Sequence, residues 1–294
     1  MPADATPGQT KTLARLLVSC HDRPGIVAQI SRFLYEQGAN IVENSQYSAA
    51  PSDAGLFLQR TVFEWGGEGD AAAALGPAFA AEVAEPLEME WRFEDARRPK
   101  RTAIFVSRYD HCLLDLLWRA RRGELPIEVG LVVSNHPDLG ADVAAFGIPF
   151  EHVPVSPETK PEAEARQLEL LGDGYDLVVL ARYMQVLSGD FLDAAGLPII
   201  NIHHSFLPAF AGAGPYQQAR DRGVKLIGAT AHYVTEELDE GPIIEQGVVR
   251  VSHRDDATEL ERRGADVERT VLAKAVGWHC EDRVVRTGAT TVIL

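Results

Sequence analysis

Ile199-Ile200-Asn201-Ile202-His203-His204-Ser205-Phe206-Leu207-Pro208 runs from an apolar stretch into an amide and an imidazole two residues apart. The isoleucines that follow Leu197-Pro198 read as a buried strand, and the stretch beyond, with Pro208, Gly212, Gly214 and Pro215, reads as a loop. Side chains alternate along an extended chain, so Asn201 and His203 share one side and can enter one cleft. Ligands bind at strand ends in open parallel sheets. A second tract, Leu238-Asp239-Glu240-Gly241-Pro242, offers a carboxylate from another loop. Amide, imidazole and carboxylate together suit attack on a carbonyl: a donor for the oxyanion, a proton carrier, and an acid that orients and charges it. One Asn-x-His with a remote Asp is weak by itself; the strand before it and the loop after it give it weight.

The pattern around this stretch repeats. Apolar runs at 104–106, 129–133 and 177–180 are separated by helix-length segments, which predicts a Rossmann-like, mostly parallel α/β sheet within a domain over 102–294. A long helix is expected over 259–281 and a short hairpin over 283–294, turning at Gly288. Residues 94–101, charged and containing Pro99, read as a linker. Before it, 11–93 reads as a separate domain of ferredoxin-like βαββαβ order. Its strands are expected at 13–20, 41–48, 56–65 and 87–93. Its first helix is expected to open at Pro24, carry Ile26, Val27, Ile30, Phe33 and Leu34 inward, and stop at Gly38; its second covers 71–83.

With 294 residues, 46% hydrophobic and 24% charged, the chain has the make-up of a globular protein of two domains. A formal charge of −15 argues against a nucleic-acid partner, because phosphate backbones are gripped by Lys and Arg. Residues 1–12 lack the apolar core of a secretory signal and no later run has the length of a membrane span, so a cytoplasmic protein with no membrane partner is expected. Cys20, Cys112 and Cys280 have no Cys-x-x-Cys pairing or metal-ligand spacing and read as reduced, buried thiols. The pairs Glu236-Glu237 and Asp255-Asp256 read as solvated charge, and neither a metal nor a redox cofactor is expected.

Several further tracts carry a resemblance. Residues 201–208, with Gly228-Ala229-Thr230-Ala231-His232-Tyr233-Val234 and Leu238–Pro242, resemble the catalytic segments of the folate-dependent formyltransferases. The tracts 109–117, 180–188 and 215–219 look like the branch of that family whose members deformylate formyltetrahydrofolate. Asp22-Arg23-Pro24-Gly25-Ile26-Val27 resembles the first turn of an ACT domain, an amino-acid-sensing module. The resemblance covers nearly the whole chain, and its strength lies in several motifs in one order. It implies 10-formyltetrahydrofolate as substrate, with hydrolysis to formate and tetrahydrofolate that supplies formate for purine synthesis and balances one-carbon folate pools. Folate is then a substrate, with no separate cofactor.

Within that resemblance, Asn201 is expected to donate to the oxyanion, His203 to polarise and carry the proton, and Asp239 to orient water and favour charged His203. The folate pocket is placed at Arg182, Met184, Gln185, Leu187, Thr235, Leu238 and Glu240, although residues such as Met184 and Leu187 more often belong to a core. Alternation sets His204 opposite His203, as a packing or supporting residue; His232 either supports the site from behind or is a satisfied strand histidine. Asp22, Pro24, Gly25 and Asn40 are placed as an effector site for methionine or glycine, beside the alternative that the glycines only shape one helix. A homo-oligomer through the first domain is expected. Glycinamide ribonucleotide formyltransferases carry a glycine-rich phosphate loop where this chain has Val106-Ser107-Arg108-Tyr109-Asp110-His111-Cys112, which favours water over an amine as acceptor. Gly214 stands where the deformylase branch usually has a basic residue. Two competing readings are a formyltransferase with an amine acceptor and a noncatalytic amino-acid sensor.

Overall fold

A computed structural model describes residues 11–49, 55–67, 69–208 and 215–294; residues 209–214, Gly212 and Gly214 among them, lie outside the described residues. The chain divides into two compact units, Met1–Arg98 and Pro99–Ile293. In the first, β1 (Thr12–His21), β2 (Asn40–Ser48), β3 (Leu56–Trp65) and β4 (Glu90–Asp95) form an antiparallel sheet of order β2-β3-β1-β4. Helices α1 (Ile26–Glu36) and α2 (Ala71–Phe79) contribute to one core with it, in which Ile26, Ile30, Phe33 and Phe79 meet Leu16, Val18 and Phe63.

Several boundaries differ from the sequence reading. Helix α1 starts at Ile26, because Gly25, at φ +96°, lies outside helical space and leaves Pro24 in the preceding turn. The second helical stretch does not stop at residue 83: a π turn over Ala80–Ala84 and a 3-10 turn over Glu85–Leu87 prolong it. Leu87 is therefore the buried end of that stretch, and the strand expected at 87 begins at Glu90. The stretch read as a linker is mostly strand. Glu94 and Asp95 complete β4, and Lys100 and Arg101 open the next unit's first strand, leaving 96–99 as the connection. Charged residues of this kind are compatible with β4 because it is a sheet edge.

The second unit alternates strand and helix: β5 (Lys100–Val106), α3 (His111–Arg121), β6 (Ile127–Ser134), α4 (Gly140–Ala144), β7 (Phe150–His152), α5 (Lys160–Leu171), β8 (Leu177–Ala181), α6 (Gly189–Ala195) and β9 (Ile199–His203). Then follow α7 (Pro215–Asp221), β10 (Leu226–Tyr233), β11 (Ile243–Arg250), the long α8 (Ala257–Cys280), and the hairpin β12 (Val284–Thr287) and β13 (Thr290–Ile293) around Gly288. The seven-stranded order is β11-β10-β9-β8-β5-β6-β7. From β7 to β9 neighbours are parallel, and β10 and β11 extend that sheet antiparallel. Strand β8 is buried at all five positions, as a central parallel strand with both faces covered requires. One core layer joins the sheet to α3 and α8 through Leu113, Leu117, Leu272 and Val276; the other contains Ala163 and Leu171 of α5 and Phe191 of α6. Helix α8 begins two residues before its expected start because the Asp256 carboxylate caps it, accepting from the Glu259 amide at 2.8 Å. Among the described residues no helix is long and apolar enough to cross a membrane.

Candidate active site

Strand β9 ends at His203, and its antiparallel neighbour β10 sets His232 directly opposite Asn201. This register brings Asn201 Nδ2 within 3.2 Å of His232 Nε2. His232 Nδ1 is 3.0 Å from the Tyr233 carbonyl oxygen, an acceptor only, so Nδ1 carries the proton and Nε2 accepts from the Asn201 amide. The amide is thereby oriented, and its second N–H remains for another acceptor. On the same strand, His203 Nδ1 donates to Asp239 Oδ2 at 3.2 Å, and its buried Nε2 has no partner. Asp239 Oδ1 stands 3.7 Å from His232 Nε2, beyond hydrogen-bond reach.

Two devices hold these side chains. The Thr230 hydroxyl donates to the Ser205 carbonyl at 2.9 Å and accepts from the Leu207 amide at 3.0 Å, while Gln246 Nε2 donates to the Leu207 carbonyl and to Thr230 Oγ1. The chain leaving His203 is thus tied to β10 and β11. On the other side, β10 has a bulge between Ala231 and His232, and the following loop returns at Pro242, whose carbonyl accepts from the Tyr233 amide at 3.0 Å. A Cβ at Gly241 would collide with the Tyr233 carbonyl oxygen, so only glycine permits this closure. Two residues earlier, Asp239 sits at φ +59°. Left-handed non-glycine residues are costly and cluster at functional sites; Arg182 at +63° and Met184 at +59° occupy the loop after β8.

Electrostatics separate the site's groups. The hydrogen bond from His203 holds the Asp239 carboxyl below its ordinary range against the opposing effect of burial. Burial lowers His232, leaving it the neutral partner that its hydrogen bonds require. Burial, and then the charge of Arg182, pull His204 down to about 4. His204 does not stand apart from His203 as alternation predicts. The strand ends at His203, and the two rings lie with centroids 5.3 Å apart.

The pocket residues are placed less uniformly. Met184 is exposed, and Gln185 is partly so. Leu187 belongs to the core beside Tyr183 and Phe191, the second of the two roles open to it in sequence. Thr235 turns back on its own loop, donating to the Glu237 carbonyl at 3.1 Å; Leu238 and Glu240 are exposed. The Arg182 guanidinium is not free to face a pterin. It is buried, with Nη1 3.2 Å from both Glu268 oxygens and Cζ 4.5 Å from the Tyr109 ring centroid. In the first unit, Pro24, Gly25 and Asn40 are exposed and Asp22 is partly buried, its amide bonded to the Gly55 carbonyl.

Sequence reasoning missed Glu268. It is 1% exposed in the middle of α8 and accepts from His111 at 2.7 Å, from Arg182 and from the Tyr216 hydroxyl. Burial alone would raise its carboxyl, but His111, Arg182 and Tyr216 outweigh that and hold it below its ordinary value. Its only local signal was a charged residue among Val267, Val271 and Leu272 on a helix with an apolar stripe. His111, Cys112 and Glu268 also bring metal-ligating atoms within 4.8 Å of one another, a grouping the spacing around Cys112 did not anticipate. The Cys112 thiol, however, is pushed well up by burial and then by Glu268, while Arg182 already takes the carboxylate's charge.

The chain is similar to known proteins over both units. Residues 100–276 match the Formyl transferase family, and residues 14–64 match the ACT domain. A formyltetrahydrofolate deformylase of Mycobacterium tuberculosis is 59% identical over 281 residues, 96% of this chain and 90% of that protein. One from Bacillus subtilis is 50% identical over 280 residues, 95% of this chain and 93% of that protein. The crystal structure of a formyltetrahydrofolate deformylase from Pseudomonas syringae superposes with a TM-score of 0.91 at 46% identity, covering 97% of this chain and 95% of that one.

Proposed function

This chain belongs to the Formyl transferase family, in the formyltetrahydrofolate deformylase branch with an ACT domain ahead of the catalytic unit, and from that premise we infer that it hydrolyses 10-formyltetrahydrofolate. Water adds to the formyl carbon, the bond from that carbon to N10 breaks, N10 takes a proton, and formate and tetrahydrofolate leave. The formate is available to purine synthesis, and the reaction balances the one-carbon folate pools. The observation that carries this reading is the meeting of Asn201, His203 and Asp239 at one strand end, with the Asn201 amide oriented by neutral His232.

The roles follow from the atoms left unspent. The second N–H of Asn201 is the donor for the tetrahedral oxyanion. His203, its Nδ1–H engaged by Asp239, exchanges a proton through Nε2, the buried nitrogen without a partner. Asp239 remains an anion, supports positive charge on His203 and accepts from the attacking water. Folate is the substrate, and these steps use no separate cofactor. Met184, Gln185, Leu238 and Glu240 border the folate-binding cleft, with the backbone of Arg182 and Thr235 beside them.

The test is formate release from 10-formyltetrahydrofolate by the purified protein without an amine acceptor. Removing a single oxyanion donor costs about 10² to 10³ in rate, so Asn201→Ala should lose that much kcat and remain folded. Wild-type protein that releases no formate, or an Asn201→Ala variant with near-normal turnover, would overturn the assignment. The ACT domain supports an amino-acid effector. Methionine and glycine, acting near Asp22, Pro24, Gly25 and Asn40, are the pair assigned here, in a homo-oligomer joined through that domain.

A further inference from the structure

Glu268 joins three segments that the chain brings together from distant positions. His111 opens α3 after β5, Arg182 begins the loop after β8, and Tyr216 lies near the start of α7, beyond the loop that follows His203. All three reach one carboxylate on α8. Room for this has been made in the helix itself. Gly264 lies one turn before Glu268 on the same helical face, and a Cβ there would occupy the place of the Tyr216 hydroxyl. The contacts continue to the reacting groups. The Tyr216 ring lies 6.1 Å from the His204 ring, and His204 lies 5.3 Å from His203. On the other branch, Arg182 and Met184 hold the left-handed conformations that shape the loop bordering the folate cleft.

We propose that Glu268 is a positioning residue for deformylation: through Arg182 it holds the left-handed turn 182–184 at the folate cleft, and through Tyr216 it backs the ring of His204 against His203. It touches no reacting atom. A left-handed arginine persists only where its surroundings over-determine it, and the Glu268 contact, closed on the far side by the Tyr109 ring, is the anchor in view. Displacing a substrate-positioning element by about 1 Å can cost on the order of 10² in rate. The two branches therefore predict two kinetic signatures from one carboxylate.

This inference rests on the deformylase reading, so the experiment keeps the two apart. Wild type, Glu268→Gln and Tyr216→Phe are compared for formate release and for amide hydrogen exchange over 182–187. Glu268→Gln keeps the volume but removes the charge that faces Arg182. It should raise KM for 10-formyltetrahydrofolate about tenfold and speed exchange over 182–187 by at least as much. Tyr216→Phe leaves Arg182 on Glu268, so it should lower kcat about fivefold with KM unchanged. A carboxylate that served stability alone would lower Tm without separating KM from kcat. Variants within twofold of wild type in both constants, or unchanged exchange over 182–187, overturn the proposal while the deformylase reading stands. If Glu268→Gln fails to fold, Tyr216→Phe decides: a fall in kcat at constant KM supports the proposal, and wild-type kinetics overturn it. Wild type that releases no formate overturns both.

Discussion

Asn201 is useful as a donor only if its amide faces the right way, and His232 decides that. The imidazole spends Nδ1–H on the Tyr233 carbonyl and offers Nε2 to the amide, so His232→Leu should leave Asn201 free to turn. The expected result is a fall in kcat of about tenfold with KM little changed, read by steady-state formate release. Asp239→Asn keeps the shape but removes the anion beside His203, and should cost about 10² to 10⁴ in kcat. The histidines also predict a pH dependence of stability. His204 is drawn to about 4 and His232 is lowered, whereas unfolded histidines titrate near about 6.5. Between those values the unfolded chain binds more protons, so their stabilisation is complete above about pH 6.5 and is lost as pH falls toward 4. The lowered carboxyls of Asp239 and Glu268 add a loss that starts only below about pH 4.5. Tm should therefore drop from pH 7 to pH 5, and His204→Asn should lessen the drop; a flat Tm over that range would refute the burial argument. Asn201 and His203 were legible because alternation on one strand is a local property. The His232 contact depends on antiparallel register between two strands, and no spacing within either strand states it.

At the scale of elements, the site depends on how β10 ends. The bulge after Ala231, the left-handed Asp239 and the close pass of Gly241 over the Tyr233 carbonyl form one return loop that presents the carboxylate to His203. Gly241→Ala must move that loop. Overpacking of this kind costs about 1 to 3 kcal/mol, which lowers Tm by several degrees at about 2 to 4 °C per kcal/mol. The loss of activity should exceed what the unfolded fraction explains, because Asp239 moves with the loop. A folded Gly241→Ala protein with unchanged kcat would show that the close approach is incidental. The parallel strands were legible because buried strands such as β8 read as unbroken apolar runs. The ends of elements were not. Glu94 lies on an edge strand beside Arg92, and Lys100 spends its charge on the buried Asp282 at 3.6 Å, a partner far along the chain, so local polarity there resembles a linker.

At the scale of the whole molecule, a unit matching the ACT domain and a unit matching the Formyl transferase family share one chain, and their relation is a question of coupling free energy. If an amino acid bound in the first unit changes folate affinity by some factor, folate must change the affinity for that amino acid by the same factor. Couplings of this type are commonly about 5- to 150-fold. Calorimetric titration of methionine, and separately of glycine, should therefore give different affinities with and without tetrahydrofolate, and the ratio should match the shift in folate affinity measured the other way round. The two amino acids are expected to shift it in opposite directions. Gly25→Ala supplies the control within the first unit. At φ +96° an alanine is strained, so the turn of Pro24 and Gly25 that leads into α1 must change while Asn201, His203 and Asp239 keep their own contacts. This variant should weaken amino-acid binding and abolish the coupling while leaving effector-free kcat intact. Equal loss of effector-free turnover would mean that the turn serves the fold of the first unit and not the sensing of a ligand.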